Sequence, residues 1–148
     1  MSQLANAFHH HLEEVKTADL TGEALGWAVG KADGLDVFLA PPEYGNPWRV
    51  FARYSYTVTE HTKRYNPWED WALAGLLLDK HRISLIYAFE EYEALIGMTG
   101  SGYHPSSTIA VCRAIVAAKL GDTVQVPKEL MPYRPRLHGL PDIQGPRS

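Results

Sequence analysis

STIAVCRAIVAAKL, residues 107–120, is the most strongly helical stretch of this chain. Apolar residues surround nearly the whole of the helix that it predicts, and such a helix is stable only when several neighbouring elements bury it. Ser106 or Ser107 can cap its start, and Gly121 is a natural stop after its last turn. We therefore predict a central buried helix near the C-terminus, with the rest of the chain packed around it.

Shorter elements flank this helix on both sides. A first helix is expected from Asp19 or Thr21 to about Lys31. Strands are expected over residues 36–40, 48–59, 83–88 and 123–126, where residues 48–59, WRVFARYSYTVT, alternate between two unlike faces. Residues 68–80 fit either a short helix, which Gly75 would weaken, or an irregular packed segment. The stretch GMTGSGYH, residues 97–104, is expected to be a flexible loop.

This order of elements predicts an α+β fold. We expect a small single domain in which a short, mostly antiparallel sheet packs on the central buried C-terminal helix. Residues 15–130 form this domain in the prediction. Residues 1–14 form an N-terminal helical extension, because apolar residues recur there every four positions. Residues 131–148 form a proline-rich C-terminal tail.

Composition restricts the class of protein. With 148 residues, 45% of them hydrophobic, the chain can build one ordinary core. Its formal net charge of −3 argues against a protein that binds duplex nucleic acid, which would carry a basic excess. The single cysteine, Cys112, fits a reducing cytoplasm. No stretch has the roughly 20 apolar residues that cross a membrane, and no signal peptide begins the chain.

Three blocks of the sequence resemble a phage family. They are KTADLTGEALGWAVGKADGL at 16–35, DWALAGLLLDKHRISL at 70–85 and STIAVCRAIVAAKLGDTVQVPKEL at 107–130. In order and spacing they look like the NinX-like family of small bacteriophage and prophage proteins. The resemblance implies a phage or prophage origin, and with the missing signal peptide and membrane segment we expect the protein in the host-cell cytoplasm. It implies no activity and no catalytic residues, and Tyr92 stands where we expect the family's tryptophan.

Aromatic residues crowd the segment from Tyr44 to Trp71 and are interleaved with cations such as Arg53. Aromatic rings stack on flat bases, and nearby cations bind phosphates. The rings proposed for such a site are Trp48, Tyr54, Tyr56, Trp68 and Trp71. The same rings could instead form the core or an interface between subunits.

A second candidate region leads into the long helix. Thr99, Gly100, Ser101 and Gly102 precede Ser106 and Ser107, whose amides at a helix start can hold an anion. The alternative is a plain turn. Arg113 is the only charge between Thr108 and Ala118, and a buried guanidinium needs a partner. It either pairs with Glu69, Asp70 or Asp79, or it faces a ligand or another subunit.

Together these features favour a phage-encoded accessory protein that binds and sequesters a small anionic, nucleotide-like molecule, with host defence signalling as the expected target. The alternatives are a protein-interaction module acting on a host or phage protein and, third, a nucleotide-processing enzyme. We expect no enzymatic activity, no catalytic residue, no metal and no cofactor, because no nucleophile motif or metal-ligand spacing occurs. A homo-oligomer, most simply a dimer, would help to cover so many rings.

Overall fold

The protein is an α+β domain in a computed structural model that describes residues 11–55 and 58–131. Within these residues the chain forms three helices, which are α1 (Gly22–Ala32), α2 (Trp71–Lys80) and α3 (Ser107–Leu120). It also forms eight strands, which are β1 (Leu12–Lys16), β2 (Asp36–Ala40), β3 (Arg49–Ser55), β4 (Glu60–Arg64), β5 (Ser84–Ala88), β6 (Glu91–Ile96), β7 (Gly100–His104) and β8 (Thr123–Pro127).

All strand pairs in the described residues are antiparallel, as the sequence predicts. The strands divide into three small sheets with the orders β1-β8, β2-β3-β4 and β5-β6-β7. The pair β1-β8 joins the two ends of the described chain, with Leu12 opposite Pro127 and Lys16 opposite Thr123. The α+β prediction is confirmed, although one short sheet was expected where three are formed.

Helix α3 is the centre of the fold, and this prediction is also confirmed. It packs against β6, β7, α1 and α2. Its fully buried side chains are Ala110, Val111, Cys112, Ala114, Ile115 and Val116. These residues lie on several sides of the helix. Neighbouring elements must therefore cover most of its circumference to keep them from water.

The predicted flexible loop over residues 97–104 is wrong, because Gly100–His104 is a strand. A Cβ on Gly102 would lie 2.3 Å from the carbonyl oxygen of Ala110, and one on Gly100 would lie 2.6 Å from the amide of Ala118. The two glycines therefore let α3 rest directly on the strand backbone. They serve close packing between a helix and a sheet and not the mobility of a loop.

Other element predictions need correction. Residues 12–14 were assigned to an N-terminal helix but belong to β1, while residues 1–10 lie outside the described part. The strand predicted over 48–59 ends at Ser55, and β4 was not predicted. Residues 71–80 are helical despite Gly75, and the Asp70 side chain caps this helix by accepting from the amide of Ala72. Among the described helices, none is both long and apolar enough to cross a membrane.

Candidate functional site

Arg113 projects from the middle of α3 into a gap between two sheets. Its Nε donates to the carbonyl oxygen of Leu20 at 3.0 Å, and its Nη1 donates to that of Tyr103 at 2.9 Å. No carboxylate of the described residues forms an ion pair with it, so the predicted pairing with Glu69, Asp70 or Asp79 is wrong. Two backbone carbonyls orient the guanidinium but leave its positive charge without a charged partner.

The gap is a solvent-open pocket of about 320 Å³, which we call the Arg113 pocket. It lies along the edge of β7 that no described strand covers. One wall comes from β1 and the turn after it, one from β7, one from α3, and one from the start of β8. The lining residues are Lys16, Thr17, Ala18, Ser101, Gly102, Tyr103, Arg113, Ala117, Asp122 and Thr123.

Hydrogen bonds hold two of these walls in place. Thr17 donates from its hydroxyl to the carbonyl of Gly121 at 2.6 Å and from its amide to the carbonyl of Asp122 at 2.8 Å. Tyr103 donates from its hydroxyl to Glu93 at 2.6 Å, and this bond raises the pKa of Tyr103 above its ordinary value. A pocket whose walls are tied down in this way loses little conformational entropy when a ligand enters.

Burial and nearby carboxylates shift the pKa of Arg113 in opposite directions. Removal of water lowers the pKa of Arg113, while the carboxylates of Asp19 and Glu91, too distant for an ion pair, partly offset this. Arginine stays charged under these conditions because its ordinary pKa exceeds 12. An anion entering the pocket would restore the electrostatic stabilisation that burial removes.

Three of the predicted site residues meet in this pocket, namely Ser101, Gly102 and Arg113. The rest of the predicted loop site does not line it. The amide and the hydroxyl of Thr99 both donate hydrogen bonds to the carbonyl of Ile96, and Gly100 packs on α3. At the helix start, the amide of Ser106 donates to Nδ1 of His104, and Ser107 begins the helix. The predicted anion site at this helix start is thus separate from the Arg113 pocket.

The predicted aromatic site lies elsewhere, in and around the sheet β2-β3-β4. Trp68 packs on α1, where a Cβ on Gly26 would come within 2.5 Å of its ring, and Arg64 lies 5.6 Å from that ring. Arg53 lies 4.4 Å from the ring of Phe38 and pairs with Asp36 at 3.0 Å. Tyr54 packs on the core, Trp48 is half-buried, and Trp71 is half-exposed. Tyr56 lies outside the described residues.

Two of the cations interleaved with these rings, Arg53 and Arg64, are therefore occupied within the protein. Arg53 also lies 3.9 Å from Glu60, and Arg64 is held by Glu23. A base could still stack on Trp71, but none of these rings lines the Arg113 pocket. The aromatic segment does meet the predicted helix start, because the Thr108 hydroxyl donates to the carbonyl of Trp68 and also hydrogen-bonds the hydroxyl of Ser106, but this contact lies outside the Arg113 pocket.

Burial shifts the pKa of two titratable side chains, Cys112 within α3 and His104 just before it. Cys112 is fully buried, and burial raises the pKa of its thiol to about 12. Burial also lowers the pKa of His104, with the charge of Arg113 acting in the same direction, so the imidazole is neutral near pH 7 and accepts from Ser106. No group of three or more metal-binding side chains occurs in residues 11–55 and 58–131.

Most of the pocket could not be predicted from the sequence. Lys16, Thr17 and Ala18 precede the first helix, and Asp122 and Thr123 follow the last one, so no linear motif connects them. Tyr103 falls within the stretch that the sequence predicts as a flexible loop. The one signal present in the sequence was Arg113 itself, as a solitary charge in an apolar helix.

The comparison with protein families supports the resemblance noted from the sequence. A family described as "Bacteriophage P22, NinX" matches residues 16–119, more than half of the chain. The chain belongs to this NinX family. The matched region contains the whole lining of the Arg113 pocket except Asp122 and Thr123. Among curated proteins, none matches the chain.

Proposed function

We propose that this phage-family protein binds a small anionic, nucleotide-like molecule in the Arg113 pocket. The observation that supports the proposal is the guanidinium of Arg113, which two carbonyls orient and which no described carboxylate neutralises. Its Nε and Nη1 are engaged, while Nη2 makes no hydrogen bond with the described residues. An anionic ligand would supply the missing negative charge through charge-assisted hydrogen bonds.

The rest of the lining suits a ligand with both charged and polar groups. Lys16 adds a second cation, and the hydroxyls of Ser101 and Thr123 can donate to phosphate oxygens. Asp122 would repel a second phosphate but can accept from a sugar hydroxyl or a base N–H. The volume lies at the small end of ligand sites, which favours a mononucleotide.

We further propose that the protein sequesters this ligand and does not convert it. The pocket lining contains no nucleophile paired with a base, and the nearby thiol of Cys112 is protonated and buried. A phage-encoded protein acts in the cytoplasm of the infected cell, where nucleotide signals of host defence are potential ligands. Sequestration of such a signal is the role that we assign.

Calorimetric titration with cyclic and linear mononucleotides and with inorganic phosphate tests this proposal. Replacing Arg113 by alanine should weaken binding about 10- to 100-fold, since a hydrogen bond to a charged group contributes about 1.5–3 kcal/mol. Arg113→Lys keeps the charge and should retain part of the affinity. Lys16→Glu reverses the second cation of the pocket from an exposed position and should also weaken binding strongly without affecting the core.

Trp71→Ala is the matched control, because Trp71 is a half-exposed ring outside the pocket. It should bind like wild type. Loss of binding in Trp71→Ala with full binding in Arg113→Ala and Lys16→Glu would place the site in the aromatic segment instead. Absence of binding by wild type at millimolar concentration, with a protein partner co-purifying, would favour the interaction module. The run of exposed apolar residues Ile86, Tyr87 and Phe89 is the feature that supports this second function.

A further inference from the structure

The edge of β7 beside the Arg113 pocket carries backbone groups without hydrogen-bonding partners. In residues 11–55 and 58–131, no strand pairs with β7 on the side away from β6. The carbonyl of Tyr103 accepts from Arg113 on this edge, so the backbone groups of Tyr103 point away from β6. Because alternate residues of an antiparallel strand direct these groups to the same side, the amide and the carbonyl of Ser101 also point to the free edge.

The register of the neighbouring strands leads to the same assignment. A two-residue turn connects β5 to β6, so the residues that flank it, Ala88 and Glu91, form a hydrogen-bonded pair. Alternation along β6 then directs the backbone groups of Glu93 toward β5 and away from Tyr103, its partner in β7. No backbone hydrogen bond joins Ser101 to a described element other than by its place in β7. Its amide and carbonyl are therefore available to a ligand.

Ser101 lacks the opposite residue that would complete an antiparallel pair. Such a residue would accept from the amide and donate to the carbonyl, in two hydrogen bonds side by side. A nucleobase carries a donor next to an acceptor on one edge, as in the imide of uracil or in the amino group and adjacent ring nitrogen of adenine. This edge can form the same two hydrogen bonds that the missing residue would form.

We propose that Ser101 binds the base of the nucleotide-like ligand through its own amide and carbonyl. This role of Ser101 rests on the proposed function and adds recognition of the base to it. Ser101 and Arg113 line the same pocket. The carbonyl of Ser101 lies about 7 Å along the strand from that of Tyr103, which orients Arg113. One mononucleotide can span this distance with its phosphate on the guanidinium.

The occupied carbonyl of Tyr103 favours a base over an extended peptide on this edge. A peptide strand would pair with Ser101 and Tyr103 in turn, and it would need the carbonyl of Tyr103 as an acceptor. Arg113 already donates to that carbonyl at 2.9 Å. A base needs the two groups of Ser101 alone.

Calorimetric titration with 5′-mononucleotides and with ribose 5-phosphate separates the base from the phosphate. Wild type should bind the preferred mononucleotide at least about tenfold more tightly than ribose 5-phosphate, as expected for two hydrogen bonds between neutral groups. N3-methyluridine 5′-phosphate and N6,N6-dimethyladenosine 5′-phosphate have a blocked donor. Each should lose most of the advantage of its unmethylated parent, because the carbonyl of Ser101 then has no donor.

Ser101→Pro removes the amide and keeps the carbonyl. Proline is tolerated where an edge strand points its N–H away from the ladder, so the circular dichroism spectrum should not change. The variant should bind mononucleotides about as weakly as ribose 5-phosphate. Ser101→Ala, the matched control, removes the same hydroxyl but keeps the amide, and it should retain the preference for the base. Arg113→Ala should weaken both ligands by a similar factor.

The outcomes distinguish the role of Ser101 from the proposed function. Equal affinities of wild type for mononucleotides and ribose 5-phosphate, with both dependent on Arg113, would overturn the role of Ser101 alone. Full affinity for the methylated nucleotides, or an unchanged preference in Ser101→Pro, would do the same. Absence of binding by every phosphate ligand would overturn both proposals. Binding of trialanine in place of nucleotides, with protection of the Ser101 amide from hydrogen exchange, would assign this edge to a peptide and also overturn both.

Discussion

Two glycines of β7 determine how closely α3 approaches the sheet. Gly100 and Gly102 lie two residues apart and face the same side of the strand, opposite Ala110, Ala114 and Ala118 on the helix. The small residues on both partners allow backbone to meet backbone. This contact also places Arg113, which lies beside Gly102, at the edge of β7 where the pocket opens.

Replacing Gly102 by alanine should lower the free energy of unfolding by about 3 kcal/mol, because the added Cβ would meet fixed backbone atoms that cannot move aside. Chemical denaturation measures the change. Gly75→Ala is the control, since nothing lies within 4 Å of a Cβ built there. In the interior of α2 it should raise stability by about 1 kcal/mol. Equal effects of the two substitutions would contradict this account of β7.

The turn that connects β5 to β6 has a strained backbone. Its two turn residues, Phe89 and Glu90, have φ values of 53° and 65°, the left-handed conformation of a type I′ turn. Asparagine and glycine ordinarily occupy such positions. A fully exposed phenylalanine here gains no burial in the single chain, so the turn shape is imposed by the flanking pairs of β5 and β6.

Phe89→Asn should therefore raise the free energy of unfolding by about 1 kcal/mol, because asparagine adopts the left-handed conformation at lower cost. Thermal and denaturant melts of the variant beside wild type measure it. Phe89→Ala separates the two causes: alanine removes the exposed ring and keeps the backbone strain, so it should change stability little. A stabilisation by alanine equal to that by asparagine would show that the exposed ring, and not the turn, carries the cost.

For the whole molecule, one carboxylate connects α1 to the sheet β2-β3-β4. Glu23 accepts from the amide of Val50 at 2.9 Å and from Nη1 of Arg64 at 3.0 Å, and its second oxygen pairs with Nη2 of Arg64. The partners are separated by 27 and 41 residues in sequence and lie in partly buried surroundings. This contact joins the second sheet to the helical core.

Glu23→Ala should cost about 2–3 kcal/mol of folding free energy, since it leaves the amide of Val50 without its acceptor and the half-buried guanidinium of Arg64 with only the carbonyl of Val50. Glu23→Gln keeps an oxygen for the Val50 amide and should cost less. Hydrogen exchange should show the largest loss of protection in β3 and β4. Uniform loss over all three sheets, or equal costs for the two variants, would contradict the assignment of this contact.

Local patterns in the sequence were sufficient for several elements. Helix α3, helix α1 and strands β2, β5 and β8 follow from apolar periodicity, caps and glycine stops, which act within a few residues. The α+β class follows from their order. Strand β7 was misread because the steric role of Gly100 and Gly102 depends on a helix that comes later in the chain.

By itself the sequence determined that α3 must be buried, because a helix that is apolar on nearly every side has no stable alternative in water. It also singled out Arg113 as a charge in need of a partner. Only the tertiary structure decided what surrounds Arg113. The pairing of β1 with β8 brings Lys16 and Asp122, from opposite ends of the fold, to the open edge of β7. Contacts across such distances depend on chain topology, which no local pattern records.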